Sequence, residues 1–475
     1  MLFNSFEFIF IFFPVVTIIY YLLGFRTKIV WLLLASCFFY MFFVPAYILI
    51  LFVAILIDYS AGLFIEKAAT ERGRKIWLIV SIVSTCLLLF VFKYYNFFIN
   101  NFNTVSALTG SSVRLGYWYL LLPIGLSFHT FQSLSYVIEV YRRNVKAEKD
   151  FLIYSLYVLF YPQLAAGPIE RPQNVIPQIR TEKKFNWDNI FYGLRLMTWG
   201  LFKKVVIADN VAVYADGVYN TWTDCHGLTI YLGTFFFAVQ IYCDFSGYSD
   251  IARGTAKTLG YDLMENFNLP YLATSMKDFW LRWHISLSSW FRDYLYFPMG
   301  GSRKSKLRTF FNQIFVFLVS GLWHGAHWNY IVWGGEHGIL VGVQSAFFHK
   351  PKKLIRSKFT SWILRILVFN LLLLFWIYFR STSVFQANNM LKRMLSELGD
   401  VHSTLNYIKE NGGLRLIFWM LICLFFLTFD RYITTLVKNS FASYKFKYAF
   451  LMSMLISSIC LIGFWGKINF IYFQF

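Results

Sequence analysis

Charge is scarce in this chain: only 14% of its 475 residues are Asp, Glu, Lys or Arg, while 58% are hydrophobic. Soluble domains carry about a quarter charged residues, so a soluble globular chain is excluded. Acidic residues are the scarcer sign, 24 against 44 Lys and Arg, which leaves a net charge of +20. No soluble basic domain accompanies that excess, so nucleic acid is not an expected partner. The six cysteines, at 37, 86, 225, 243, 423 and 460, form no C-x-x-C pair and indicate neither a metal site nor a disulfide framework. No fixed-period repeat, low-complexity tract or long soluble insert is present.

What is abundant is apolar sequence in long runs. Phe8–Phe25, Ile29–Ile57, Leu115–Ile138, Thr309–Gly335 and Tyr448–Gly466 contain no charged residue at all. A membrane-spanning helix needs roughly 20 apolar residues, so each run is a candidate span. The chain reads as an all-α polytopic membrane protein, one integral membrane domain over 1–475. The first run lacks a basic flank and a small-residue cleavage site and is expected to be retained. Pro45 divides Ile29–Ile57, as either a helical hairpin or a kinked helix. Basic loops such as "RKSKLR" (303–308) and "KPKKLIRSK" (350–358) predict cytoplasmic faces. On that charge pattern 361–379 crosses outward, 414–430 returns and 448–466 crosses outward again. The aromatic tail at 467–475 is then external.

The middle of the chain breaks the pattern. "YPQLAAGPIERPQNVIPQI" holds four prolines, and "KDFWLRWHISLSSWFRDYLYFPMGG" mixes charge with aromatics. Such segments suit re-entrant or amphipathic pieces at the cytoplasmic interface, where irregular backbone is tolerated only inside protein or along a watery cavity. His324 lies 16 residues past Arg308, roughly 24 Å along a helix. An ionisable group at that depth points to function, and a neutral imidazole there can act as a general base. Spacing leaves a packing histidine bonded to a carbonyl as the other reading. His284 offers a second imidazole or an interfacial structural residue. His327, His337 and His129 carry weaker signals. Asp244 and Asp250 need partners in their apolar setting and are expected to orient the basic residues of 277–303. Basic residues there, Arg282 and Arg292 among them, are candidates for a donor's phosphates. Asp278, Trp283 and Trp323 flank the two histidines as further candidate contacts.

Six ordered motifs then resemble the membrane-bound O-acyltransferases: "LPIGLSFHTFQSLSYVIEVYR", "GPIERPQNVIPQI", "GLFKKVVIADNVA", "QIYCDFSGYSDIARG", "NLPYLATSMKDFWLRWHISLSSWFRDYLYFPMGGSR" and "SGLWHGAHWNYIVWGGEHG". The similarity runs along the whole chain, to the branch that O-acetylates bacterial alginate, peptidoglycan and exopolysaccharides. It departs from the family pattern at Leu281, Cys243, His129 and His327. The resemblance implies a multi-helix bundle with a central funnel in a bacterial cytoplasmic membrane. It also implies acetyl-CoA as donor substrate, no bound cofactor, and no metal. His324 would be catalytic, and His284 would be its second motif histidine. An external SGNH-type partner enzyme would carry the acetyl group to a polysaccharide. The related D-alanylation system uses a partner ending F-x-Y-x-x-F, and this chain ends Phe470-Ile-Tyr472-Phe-Gln-Phe475. Tyr472 is therefore a candidate acyl relay, or else an aromatic anchor at the interface. Acyl transfer from a D-alanyl carrier, and a non-catalytic flippase or scaffold, are the rival expectations.

Overall fold

The computed structural model describes residues 1–164, 167–348, 357–438, 445–466 and 470–471; their regular secondary structure is helical, with no β-strand among them. Among the described residues, five helices are long and apolar enough to span a membrane: Tyr47–Lys67, Glu71–Leu108, Gly227–Thr258, Lys358–Arg380 and Leu414–Lys438. Glu7–Leu22 and Ala449–Ile462 are shorter apolar helices. The chain is a multi-pass membrane protein. Several helices start where a short polar side chain takes up a free backbone N–H. Thr70 accepts from Gly73, Ser305 from Arg308 and Ser357 from Thr360. Contacts divide the chain into two compact units, Met1–Leu194 with Ala252–Met264, and Arg195–Ile251 with Glu265–Phe475.

In the first unit, Pro45 separates two helices, Phe25–Met41 and Tyr47–Lys67, so the run around it is not one kinked helix. The expected span at Leu115–Ile138 is only half helical. Residues 111–123 have no regular secondary structure, and the helix starts at Leu126, after Gly125 with φ of 77°. The asparagine-rich helix Tyr95–Leu108 explains how part of that irregular backbone is satisfied. Asn96 and Asn103 each bond both ways, Asn96 to Trp118 and Asn103 to Leu115.

In the second unit, the run Thr309–Gly335 is not one span. The helix Lys306–His324 ends at His324, and a second helix, Trp328–Phe347, turns back against it. Glycines let their backbones meet. A Cβ at Gly321 would lie 2.2 Å from the Tyr330 carbonyl oxygen, and one at Gly334 2.3 Å from that of Phe317. Small residues at such crossings are how membrane helices approach closely. The hairpin thus presents His324 at its tip. The segment 277–301 consists of short pieces: Met276–Trp280, Ile285–Phe291 and the π-helical turn Arg292–Tyr296.

Candidate functional site

His324 is buried, the last residue of its helix, and its ring is boxed by aromatic edges. Ring centroids lie 5.0 Å away for Trp323, 5.2 Å for Trp333 and 5.4 Å for Phe379, all near perpendicular. Three helices therefore fix one imidazole. His284 is fully buried and adopts φ of 44°, a left-handed conformation that costs a non-glycine residue about 1–2 kcal/mol. Its ring meets Phe245 edge-on at 4.7 Å and Trp323 at 6.2 Å. The two histidines thus share one indole, that of Trp323.

The strained loop at His284 is held by Asn266. Its carbonyl accepts from Ile285 N–H at 2.9 Å, its side-chain oxygen from Ser286 N–H at 3.2 Å, and its amide donates to Ser249 Oγ at 3.3 Å. Backbone strain over-determined in this way is typical of functional loops. Burial pushes the His284 imidazole down to about 3, which keeps it neutral at physiological pH. A group so weakly basic suits hydrogen bonding better than proton abstraction.

The other candidate residues divide. Trp283 is wedged into an aromatic core, stacked on Phe279 at 5.4 Å and tilted against Trp376 at 5.2 Å. Asp278 and Arg282 bond each other at 2.7 Å, one helical turn apart, and Asp278 also accepts from Thr274 N–H at 3.0 Å. Arg292 is exposed, paired with Asp293 at 2.8 Å. Trp323 joins the two histidines, Trp283 packs one residue before His284, and Tyr472 lies outside the described residues. Among the described residues no three His, Cys, Asp or Glu side chains gather as a metal set.

Asp244 and Asp250 find the partners that their apolar setting calls for in two lysines that lie outside 277–303. Asp244 bonds Lys204 at 2.8 Å and Asp250 bonds Lys203 at 2.6 Å. The reason is the π-helical turn Phe202–Ala208, which points both lysines inward. His337 has a structural partner: Trp280 Nε1 donates to its Nδ1 at 3.1 Å.

Sequence reading did not single out Asn266, Phe245, Trp333 or Phe379. An asparagine in "ENFNLP" gives no local sign that it clamps a histidine 18 positions later. A polar cavity of about 120 Å³ adjoins the clamp, lined by Lys203, Tyr242, Ser249, Asp250, Asn266 and Lys438 among others.

Comparison with known proteins gives three kinds of relative. The family model of the membrane-bound O-acyltransferases matches residues 142–385. The peptidoglycan O-acetyltransferase of Helicobacter pylori is 36% identical over 428 residues, covering 83% of this chain and 80% of its own length. The probable alginate O-acetylase of Pseudomonas aeruginosa is 36% identical over 397 residues, covering 83% and 75%. The teichoic acid D-alanyltransferase of Bacillus subtilis is 28% identical over 260 residues, covering 52% and 66%.

Proposed function

The chain belongs to the membrane-bound O-acyltransferase family, and on that premise we propose that it takes acetyl from cytoplasmic acetyl-CoA and passes it outward for polysaccharide O-acetylation. The observation that carries this reading is the pair of buried imidazoles, His324 and His284, on one indole. The hydroxyl oxygen of the acceptor attacks the thioester carbonyl carbon while His324 takes the hydroxyl proton. The tetrahedral intermediate collapses, the C–S bond breaks, and the proton passes to the departing thiolate to give free CoA. His284, neutral and held by Asn266, positions the thioester by hydrogen bonding.

The acceptor is Tyr472, or a serine of an external SGNH-type partner enzyme that then acetylates the polymer. A tyrosyl ester is a sound relay: phenol ionises near ~10 and a thiol near ~8.5, so the first transfer loses little acyl potential. A sugar hydroxyl is a poorer leaving group, which draws the acetyl onward. The protein sits in the bacterial cytoplasmic membrane with its C-terminus outside.

His324→Ala should abolish acetylation while the protein still accumulates in the membrane; retained acetylation overturns the assignment. The D-alanyltransferase relative keeps one alternative in view, a carrier-bound D-alanyl donor. Thioester turnover measured with acetyl-CoA and with a charged carrier protein separates the two, and no turnover of either would leave a flippase or scaffold.

A further inference from the structure

Two residues of the aromatic tail fall among the described residues. Phe470 and Ile471 are buried, at 1% and 2% exposure, in the same unit as the two histidines. Ile471 N–H donates to Asp244 Oδ2 at 2.9 Å. The Phe470 ring stacks on Tyr248 with centroids 4.3 Å apart and meets Phe245 at 5.8 Å. Phe245 is the ring that lies edge-on to His284. Upstream, Phe464 N–H donates to the Val205 carbonyl at 2.7 Å, and Asn210 Nδ2 donates to the Ile462 carbonyl at 3.0 Å.

We propose that Asp244, Tyr248 and Phe245 form a docking slot for the chain's own C-terminal segment, and that Asp244 is a positioning residue that sets its register beside His284. The charge arrangement explains why a peptide N–H is wanted there. Lys204 is shared by two buried carboxylates, Asp209 at 2.7 Å and Asp244 at 2.8 Å. One ammonium facing two carboxylates leaves oxygen acceptors in excess, and a buried carboxylate oxygen is costly without a donor. A backbone N–H supplies that donor and carries no competing charge. The two lysines and the Val205 carbonyl all come from the π-helical turn Phe202–Ala208, a departure from regular helix that recurs at functional sites. That turn therefore builds both anchors of the tail, the carbonyl for Phe464 and the lysine behind Asp244.

Register matters because a peptide anchored through one backbone N–H offers a fixed set of side chains to a given wall. A slip of one residue would bring a different side chain to the histidine wall. Ile471 immediately precedes Tyr472, so the bond to Asp244 selects which side chain of "FIYFQF" the site receives. This register argument rests on Tyr472 being the acyl relay; the slot itself does not.

The test uses the full-length protein and variants on the tail side, which leave Lys204, Asp209 and Asp244 intact. Ile471→Pro removes the donated N–H, and Phe470→Ala removes the stacked ring. Purified protein is digested with a carboxypeptidase and followed by intact mass. The wild-type chain should resist trimming past Ile471, and both variants should be trimmed at least tenfold faster. Equal trimming of wild type and variants overturns the slot. The same samples, loaded with acetyl-CoA, are read for acetyl on the C-terminal peptide. Loss of that mass in Ile471→Pro is expected, and unchanged acetylation overturns the register role of Asp244. A protected wild-type tail that never acquires acetyl supports the slot and removes the relay.

Discussion

Two long apolar helices are put to opposite uses. Glu71–Leu108, with its π-helical turn at Phe90–Tyr94, is the more apolar of the two, and only 17% of its most hydrophobic stretch is buried. Gly227–Thr258 is the less apolar, yet 83% of the corresponding stretch is buried. Polarity within a span therefore marks enclosure by protein. The first helix offers side chains such as Val83 and Leu87, 58% and 57% exposed, to its surroundings. The second carries Tyr242, Asp244, Phe245, Tyr248, Ser249 and Asp250, every one of which contacts the candidate site, the tail or a buried lysine. The lesson is that hydropathy finds the spans, and its lapses find the chemistry.

The largest expected effect breaks that contrast directly. Lys204→Met leaves Asp209 and Asp244 buried without their cation, and losing one partner of a buried ion cluster costs about 3–5 kcal/mol. Leu87→Ala on the exposed face should change stability by no more than about 0.5 kcal/mol. Thermal inactivation in detergent and steady-state membrane level measure both. Equal losses in the two variants would show that the burial difference has no energetic meaning.

A smaller effect sharpens the comparison to adjacent residues. Gly334 packs against the Phe317 carbonyl, where a Cβ would sit at 2.3 Å, whereas at its neighbour Gly335 the nearest atom is Leu318 Cδ2 at 3.5 Å. Gly334→Ala should wedge the hairpin that carries His324 and cost about 1–3 kcal/mol through overpacking. Gly335→Ala should be neutral or slightly stabilising, because alanine is the better helix former. Melting temperature and acetyl transfer are read together. Equal behaviour of the two alanine variants would remove the close crossing as the reason for the glycines.

Much of the site is legible from residues close together in sequence. His324 beside its glycines, and His284 within an aromatic and charged segment, stand out because an ionisable side chain among apolar neighbours needs an explanation. Motif order supplied the family resemblance, which the relatives bear out. What the sequence did not disclose is pairing over distance. Asn266 and His284, Phe379 and His324, and Asp244 and Ile471 are each brought together by the tertiary fold, and nothing local encodes them. Asp244 illustrates the point: its need for a partner was readable, but its partner was not. The irregular segment 111–123 escaped for a related reason, since part of its backbone is satisfied by asparagines on a neighbouring helix and its own composition reads as a span. Pro45 could be placed but not interpreted, because a proline permits a break and a kink alike.

The smallest predicted effect concerns His284 and protons. Its imidazole is pushed by burial from the ordinary ~6.5 down to about 3 in the folded chain. Between those values the unfolded chain binds a proton that folded His284 refuses, so acid favours unfolding. The stability it contributes is complete above about pH 6.5 and is lost as pH falls, at up to about 1.4 kcal/mol per unit. His284→Gln keeps a polar side chain of similar reach but no titratable ring. Its melting temperature should fall less steeply than wild type between pH 6.5 and 5, whatever its effect at pH 8. Parallel slopes in the two proteins would mean that His284 is reached by solvent protons in the folded state. The aromatic enclosure by Phe245 and Trp323 would then be more open than their contacts imply. A shallower slope in the variant would place His284 with the enclosed polar groups of Gly227–Thr258, sheltered by protein rather than by lipid.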